Sequence, residues 1–250
     1  MGLINEFNIQ LYTVREALQR DFPGTLHKLG KIGYTGVEFA GYGGYAAKDL
    51  KKLLDECGLK SISTHSGPEA LLEHLDEEIE YNKILGTEYI VLPGYYDVSH
   101  DRAGMIEFAG LFAPVAEKIT KAGMKFAYHN HSWELEKDDG EYLLDIFYAN
   151  SDPKTVLTEL DLYWIAYAGV DPLEYMQKYA NRVKLLHIKQ IRDYESRKCV
   201  DLNQGVIDFS EIIKTGKQLG VEYFILEQEE FEIDEFISVK NGIDYILGLK

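Results

Sequence analysis

Cysteine, proline and basic residues are scarce in this sequence, and each shortage excludes a class of protein. Its 250 residues hold two cysteines and six prolines, too few for a disulfide framework or a proline-rich linker. Lys and Arg number 26 against 42 Asp and Glu, which gives a formal net charge of −16. Because such a surface repels polyanions, we expect neither nucleic acid nor an acidic membrane as a partner.

Long hydrophobic runs are also missing. The stretch YIVLPGYY (89–96) is among the longest, and it is far shorter than the roughly 20 apolar residues of a transmembrane helix. The first ten residues have neither the basic region nor the apolar stretch of a signal peptide. We therefore expect a cytoplasmic protein with reduced cysteines.

What the sequence does contain is a large apolar fraction and a repeating pattern. Hydrophobic residues make up 46% and charged residues 27%, a composition that supports a buried core. Short β-like runs alternate with helical patterns, of which 46–58, 68–86 and 105–123 are the clearest. The predicted strands are 7–12, 36–40, 60–65, 88–92, 125–131, 155–161, 183–189 and 222–228. Eight such units of roughly 30 residues predict a single-domain α/β protein, a (β/α)8 TIM barrel over residues 1–250.

Glycines punctuate this pattern. Five of them are predicted to end helices just before the next strand: Gly30, Gly58, Gly86, Gly123 and Gly220. The segment GYGGYA (41–46) also fits the G-x-G-x-x-A fingerprint of an open, doubly wound dinucleotide-binding sheet. That alternative requires an acidic residue about 20 positions later, where the sequence has SISTHS with His65. We therefore interpret these glycines as a tight turn or a point where a ligand approaches the backbone.

Polar side chains recur at the carboxyl ends of the predicted strands, where TIM barrels place their active sites. Alternation assigns these residues to one face of each strand: Glu38, His65, His129, His131, Glu159, Asp161, His187, Lys189, Glu227 and Glu229. Each has a structural alternative, such as a core histidine, an aspartate capping a helix, or Lys189 in a salt bridge with Glu159 or Glu227. Burying so many ionisable groups together is costly unless they pair or bind a cation, so their convergence predicts a divalent-metal site with nitrogen and oxygen ligands.

Six segments resemble the sugar phosphate isomerase/epimerase family of xylose-isomerase-like TIM barrels, in its YHNH subgroup. They are QLYTVR (10–15), GYTGVEFAG (33–41), YHNHSWELE (128–136), ELDLYWIAYAGVDP (159–172), LHIKQ (186–190) and ILEQE (225–229). The resemblance runs from about residue 9 to the end of the sequence. The superfamily contains isomerases, epimerases, dehydratases, lyases and an endonuclease branch, so the resemblance indicates the fold more sharply than the substrate.

The resemblance implies one divalent metal ion, most simply Mn²⁺, with Co²⁺, Mg²⁺, Fe²⁺ or Zn²⁺ as alternatives. Its ligands would be Asp161, His187 and Glu227, with His129 at the strand-five position where epimerases usually have a Glu. Two further departures are Gln190, where the subgroup commonly has Asp, and Trp164, where many relatives have His.

These residues predict a metal-dependent sugar isomerase or epimerase that works through an enediolate. Glu227 is the first choice of base and Glu159 the second, with His131 or His65 as the opposing acid. We expect Lys189 to hold a substrate oxygen or to stabilise charge. Substrate contacts are expected from His65, Glu38, Tyr12, Trp133 and Trp164.

Other functions stay open at this point. The same site could carry out β-elimination, as in inosose dehydratases and keto-sugar lyases, and the missing strand-five Glu favours this alternative. A non-catalytic sugar-binding barrel is a further possibility, whereas the net charge argues against an endonuclease. The expected partner is a small-molecule sugar, and a homo-oligomer is possible. The segment NQGVIDF (203–209) is the nearest candidate for a phosphate site, but it has no basic residue.

Overall fold

Eight parallel strands close into a barrel in the computed structural model, which describes residues 2–250. The strands are β1 (Asn8–Gln10), β2 (Gly36–Phe39), β3 (Lys60–His65), β4 (Tyr89–Leu92), β5 (Lys125–His129), β6 (Val156–Asp161), β7 (Val183–Ile188) and β8 (Tyr223–Leu226). Each strand pairs with its neighbours in sequence, and β1 pairs with both β2 and β8. The predicted (β/α)8 barrel is confirmed, and the open doubly wound sheet is excluded.

Helices follow the strands and cover the outside of the barrel. They are α1 (Arg15–Arg20), α2 (Phe22–Ile32), α3 (Ala47–Cys57), α4 (Pro68–Glu73), α5 (Leu75–Leu85), α6 (Arg102–Lys121), α7 (Leu143–Ala149), α8 (Leu162–Tyr167), α9 (Pro172–Lys178), α10 (Phe209–Leu219) and α11 (Glu235–Gly248). Two hairpins lie outside the barrel: Lys137–Asp138 with Glu141–Tyr142, and Gln190–Ile191 with Cys199–Val200. Within residues 2–250, no helix combines the length and apolar character needed to cross a membrane.

The apolar core has two parts, and together they determine where polar groups can lie. The larger part packs between the strands and the helices. A smaller cluster fills the barrel interior: Ile62, Tyr89, Val91, Ala127, Leu185 and Ile225. The polar residues at the strand ends lie closer to the carboxyl end of the barrel than this apolar cluster does.

The ends of several elements differ from the sequence-based expectation. Helix α2 continues through Gly30 and ends at Gly33, which has a φ of 116°. Gly30 is needed for a close contact instead, since a Cβ there would lie 2.2 Å from the carbonyl oxygen of Cys57. The predicted helix 68–86 breaks at His74 into α4 and α5. The predicted stops at three other glycines are confirmed as C-caps: Gly58, Gly86 and Gly220.

Two irregularities interrupt the regular pairing of the strands. The register between β2 and β3 shifts at Val37/Glu38, and the register between β6 and β7 shifts at Thr158/Glu159. A register shift of this kind, like a β-bulge, redirects the side chains that follow it. Glu38 and Glu159 are both completely buried.

Candidate functional site

Four predicted metal ligands converge at the carboxyl end of the barrel. His129, Asp161, His187 and Glu227, here called the ligand quartet, each offer one atom within 4.8 Å of the others. His129 Nε2 lies 3.6 Å from Asp161 Oδ2, and His187 Nδ1 lies 3.7 Å from the same oxygen. His187 Nδ1 is also 2.6 Å from Glu227 Oε2. The ends of β5, β6 and β7 and the residue after β8 therefore bring together the residues that the sequence nominated.

The quartet fits a divalent cation because several of its buried atoms have no protein partner. Neither ring nitrogen of His129 nor Oδ2 of Asp161 has a hydrogen-bond partner among the described residues. Leaving such atoms buried and unpaired is costly, and a cation would satisfy them. Burial lowers the pKa of His129 to about 3, which keeps its imidazole neutral and able to donate a lone pair.

Asp161 has two roles that use different oxygens. Its Oδ1 accepts a hydrogen bond from the backbone N–H of Trp164 at 3.0 Å and caps helix α8. Its Oδ2 faces the quartet. Burial by itself would raise the pKa of Asp161, but Lys189, His129 and His187 more than offset this and hold the pKa below its usual range. The helix-capping alternative is therefore correct, and it is compatible with metal binding.

Glu38 lies beneath the quartet rather than at the substrate, contrary to the sequence-based expectation. Its side chain is completely buried, and its Oε1 is 2.7 Å from both His187 Nε2 and Gln10 Nε2. When this carboxylate accepts from Nε2–H, the other ring nitrogen of His187 is free to face the quartet. Such a partner fixes the tautomer and the orientation of a metal-binding histidine.

A second group of polar side chains forms the floor of the site. Glu38, His65, Glu159 and His187, here called the floor cluster, also have one atom each within 4.8 Å of the others. His65 Nε2 lies 2.7 Å from Glu159 Oε2 and 3.2 Å from Glu38 Oε1. Burial would lower the pKa of His65, but these two carboxylates raise it to about 10. Burial and the charge of Glu38 raise the pKa of Glu159.

Lys189 is a buried cation held by carboxylates. Its Nζ donates to Glu227 Oε1 at 3.2 Å and to Glu229, and it lies 4.0 Å from Asp161. The salt-bridge alternative thus applies to Glu227 but not to Glu159. Burial would raise the pKa of Glu227, but Lys189 and His187 hold it well below its usual range. Lys189 is completely buried, so it does not have the open position expected of a substrate contact.

A cavity of about 460 Å³ opens directly above the quartet. This mouth cavity is lined by Gln10, Tyr12, Ala40, His65, Pro93, His129, His131, Trp164, Glu227 and Glu229. Five predicted acid/base or substrate-contacting residues are among them: Tyr12, His65, His131, Trp164 and Glu227. Glu159 is completely buried behind His65, so its predicted acid/base role could reach a substrate only through that histidine.

Trp133 is not part of the mouth-cavity lining in the described structure, although it was expected to contact substrate. The reason is its position in a short 3-10 helix, Trp133–Leu135, where its ring stacks on His100 with centroids 4.4 Å apart.

Sequence reasoning missed two residues that organise the site. Gln10 donates to Glu38, and Glu134 accepts from Tyr128 Oη at 2.6 Å and from the backbone N–H of His131 at 2.8 Å. Glu134 therefore fixes the loop that carries His131. A signal for Gln10 existed in the sequence, because Asn8 and Gln10 alternate with Phe7 and Ile9 on the first predicted strand.

Comparison with known proteins agrees with this architecture. Residues 26–246 match the family model described as Xylose isomerase-like TIM barrel. The chain belongs to the xylose isomerase-like TIM barrel family. The resemblance seen in the six sequence segments is therefore confirmed at the level of the family.

Curated relatives and solved structures extend the comparison. An inosose dehydratase of Clostridium perfringens strain ATCC 13124 is 24% identical, over 92% of this chain and 88% of that protein. A sugar phosphate isomerase/epimerase from Parabacteroides distasonis ATCC 8503 is 26% identical with a TM-score of 0.85, and the match covers 98% of both chains. An L-ribulose 3-epimerase structure is 15% identical with a TM-score of 0.72, over 97% of this chain and 93% of that one, and it supports the fold alone. The inosose dehydratase and the Parabacteroides protein carry the names of enzymes, which supports the expectation that this chain is an enzyme.

Proposed function

We propose that this protein is a metal-dependent lyase that removes water from a polyol ketone, such as an inosose or a keto-sugar. One observation carries the proposal. The two carboxylates that line the mouth cavity, Glu227 and Glu229, both follow β8, whereas the imidazoles of His65 and His131 come from β3 and the loop after β5. Elimination needs one base and one acid at different positions, and the site offers that asymmetry.

The ligand quartet would hold the ion. A divalent cation there would polarise the substrate carbonyl and stabilise the negative charge that develops when a neighbouring carbon loses its proton. In the proposed reaction Glu227 takes that proton, and the released electron pair forms the carbon–carbon double bond. The bond to the β-hydroxyl breaks, and His65 donates the proton with which this group leaves as water.

Buried neighbours position both reacting groups. Lys189 holds Glu227 through Oε1, and Glu159 holds His65 through Nε2. His131 also lines the mouth cavity and is the alternative acid. Trp164 gives the cavity an apolar wall against which the carbon face of a ring can pack.

Isomerisation or epimerisation is the competing function. Epimerases of the superfamily usually have a Glu at the strand-five position, but this chain has His129 there. The match to an inosose dehydratase along most of both chains supports elimination instead.

A product assay separates the two functions. Purified protein loaded with Mn²⁺ is incubated with an inosose, and the product is analysed by mass spectrometry and ultraviolet absorbance. Elimination yields a product lighter by one water that absorbs as an enone, whereas isomerisation conserves mass. Removal of the ion by a chelator should abolish turnover, and added Mn²⁺, Co²⁺, Fe²⁺, Mg²⁺ or Zn²⁺ should restore it to different extents. A product of unchanged mass would contradict the proposal.

A further inference from the structure

A second and larger depression adjoins the mouth cavity. This side groove has a volume of about 590 Å³ and lies over the segments that follow β1 and β2. Tyr12 and Ala40 line both spaces, so the groove and the mouth cavity meet at these two residues. Each volume falls within the range of roughly 300–1,000 Å³ that is typical of small-molecule sites.

Aromatic and aliphatic surfaces dominate one wall of the side groove. The rings of Phe22 and Tyr45 stack with centroids 5.3 Å apart, and Leu18 and Pro23 lie in the same lining. Tyr12 stands at the junction and is 46% exposed, so its ring is accessible to a ligand that extends from one space into the other. Flat aromatic rings at this position suit the apolar face of a second ring.

The two arginines of the groove, Arg15 and Arg20, already have partners within the protein, which argues against a phosphate subsite. Arg20 pairs with Glu235 at 2.8 Å and with Glu16 at 3.8 Å. Arg15 donates to the backbone carbonyls of Tyr12 at 3.1 Å and Glu229 at 3.3 Å. Its guanidinium also lies 4.5 Å from the centre of the Tyr12 ring. Neither arginine has the open geometry that recognises a phosphate through two parallel hydrogen bonds.

We propose that the side groove is a subsite for a second ring, so that the substrate is a glycoside rather than a free monosaccharide. The reacting ring occupies the mouth cavity, and a ring attached to it passes Tyr12 and packs against Phe22 and Tyr45. The attached group is a sugar or an aryl ring, which share the flat apolar face that this wall accepts. The inference rests on the proposed function only for the position of the reacting ring.

Calorimetric titration of the metal-loaded protein tests the subsite without requiring any reaction. The probes are glucose, cellobiose, phenyl β-glucoside and glucose 6-phosphate. We expect the two probes with a second ring to bind about tenfold more tightly than glucose, the effect of added ring stacking. The stronger of the two identifies the attached group as sugar or aryl. We expect glucose 6-phosphate to bind no more tightly than glucose.

Variants of one aromatic residue locate the effect. Tyr45→Ala should reduce the affinity for the stronger two-ring probe to that of glucose, and Tyr45→Phe should retain the wild-type affinity because it keeps the ring. Tyr194→Ala is the matched control, since Tyr194 is 51% exposed and is absent from the described lining of both spaces. If Tyr45→Ala does not fold, crystals of the wild-type protein soaked with the probe should show its second ring against Phe22 and Tyr45.

The subsite is overturned by equal affinities for glucose and both two-ring probes, by the failure of both two-ring probes to bind, or by a gain seen only with glucose 6-phosphate. These results concern binding and leave the elimination assay unaffected. Conversely, a product of unchanged mass in that assay would contradict the proposed lyase function but would not affect a measured binding preference for two-ring probes.

Discussion

His187 Nε2 lies 2.7 Å from Glu38 Oε1, while Nδ1 of the same ring faces the ligand quartet. Glu38 is in turn held by Gln10, so a chain of buried hydrogen bonds runs from β1 to the candidate metal ligand on β7. This arrangement connects the first strand of the barrel with a candidate metal ligand two strands away around the barrel.

Replacing Glu38 by Gln should weaken metal binding by about 10–100-fold, because an amide holds the His187 tautomer less firmly than a carboxylate does. Competition with a chromogenic chelator measures the affinity. Glu232→Gln, at an exposed position, is the control and should retain wild-type affinity. Unchanged affinity in Glu38→Gln would show that the contact does not orient His187.

Removing a ligand should strip the ion from the protein. We expect His187→Ala and Glu227→Ala to purify with little metal, as measured by elemental analysis, because each removes one of the four atoms of the quartet. His129→Ala should lose less metal, since a water molecule can take the coordination position of the missing imidazole. Full retention of metal in both His187→Ala and Glu227→Ala would refute the assignment.

Exchange of the substrate's carbon-bound proton with deuterated water distinguishes the residue that acts as the base from a residue that only positions another side chain. Glu227→Gln should abolish exchange because an amide is not basic. Glu159→Gln should lower exchange by about 10–100-fold, since Glu159 acts through His65. Near-normal exchange in Glu227→Gln together with its loss in Glu159→Gln would reverse the two roles.

Stability should depend on pH through Glu134. Burial raises the pKa of this carboxyl from 4.5 to about 7 in the folded protein. A raised folded-state pKa means that its stabilising contribution is fully present below pH 4.5 and is lost as the pH rises to 7. The loss amounts to about 3 kcal/mol. Denaturant unfolding of wild type and Glu134→Gln across this range measures it, and a constant difference between the two would contradict the assignment.

The contact between α2 and α3 should not tolerate a methyl group. Gly30→Ala should lower the free energy of unfolding by about 1–3 kcal/mol, because its Cβ would overlap the carbonyl oxygen of Cys57. Gly110→Ala is the matched control, since Gly110 lies within α6 and no described atom comes within 4 Å of its added Cβ. There alanine should stabilise the helix by about 0.5–1 kcal/mol. Urea titration of both variants measures the two changes in the free energy of unfolding.

Periodicity was sufficient to predict the barrel and the convergence of the quartet, because strand order and alternation determine which side chains reach the carboxyl face. His129, Asp161 and His187 could be nominated in this way from local sequence alone. The depth of each polar group could not be predicted. Glu38 and Glu159 share the alternation of cavity residues, yet they lie in the floor because neighbouring side chains, absent from any local pattern, cover them.

Roles that depend on distant partners were also beyond the sequence. For Lys189 the sequence left both a substrate contact and a salt bridge with Glu159 or Glu227 open, and the choice required the structure, which places Glu227 and Glu229 around its ammonium group. Trp133 looked like a wall of the cavity, but the 3-10 helix turns its ring onto His100. In both cases the deciding contact crosses from one loop to another.

The register shifts at Glu38 and Glu159 have a consequence for protein engineering. Side chains alternate strictly along a regular strand, so an idealised barrel of eight uniform strands would direct these two carboxylates differently. The Nε2 atoms of His65 and His187 would then lose their carboxylate partners. Grafting the site onto such a scaffold would therefore require both irregularities to be transferred with the side chains. The two register shifts are therefore part of the candidate site, together with His65 and His187.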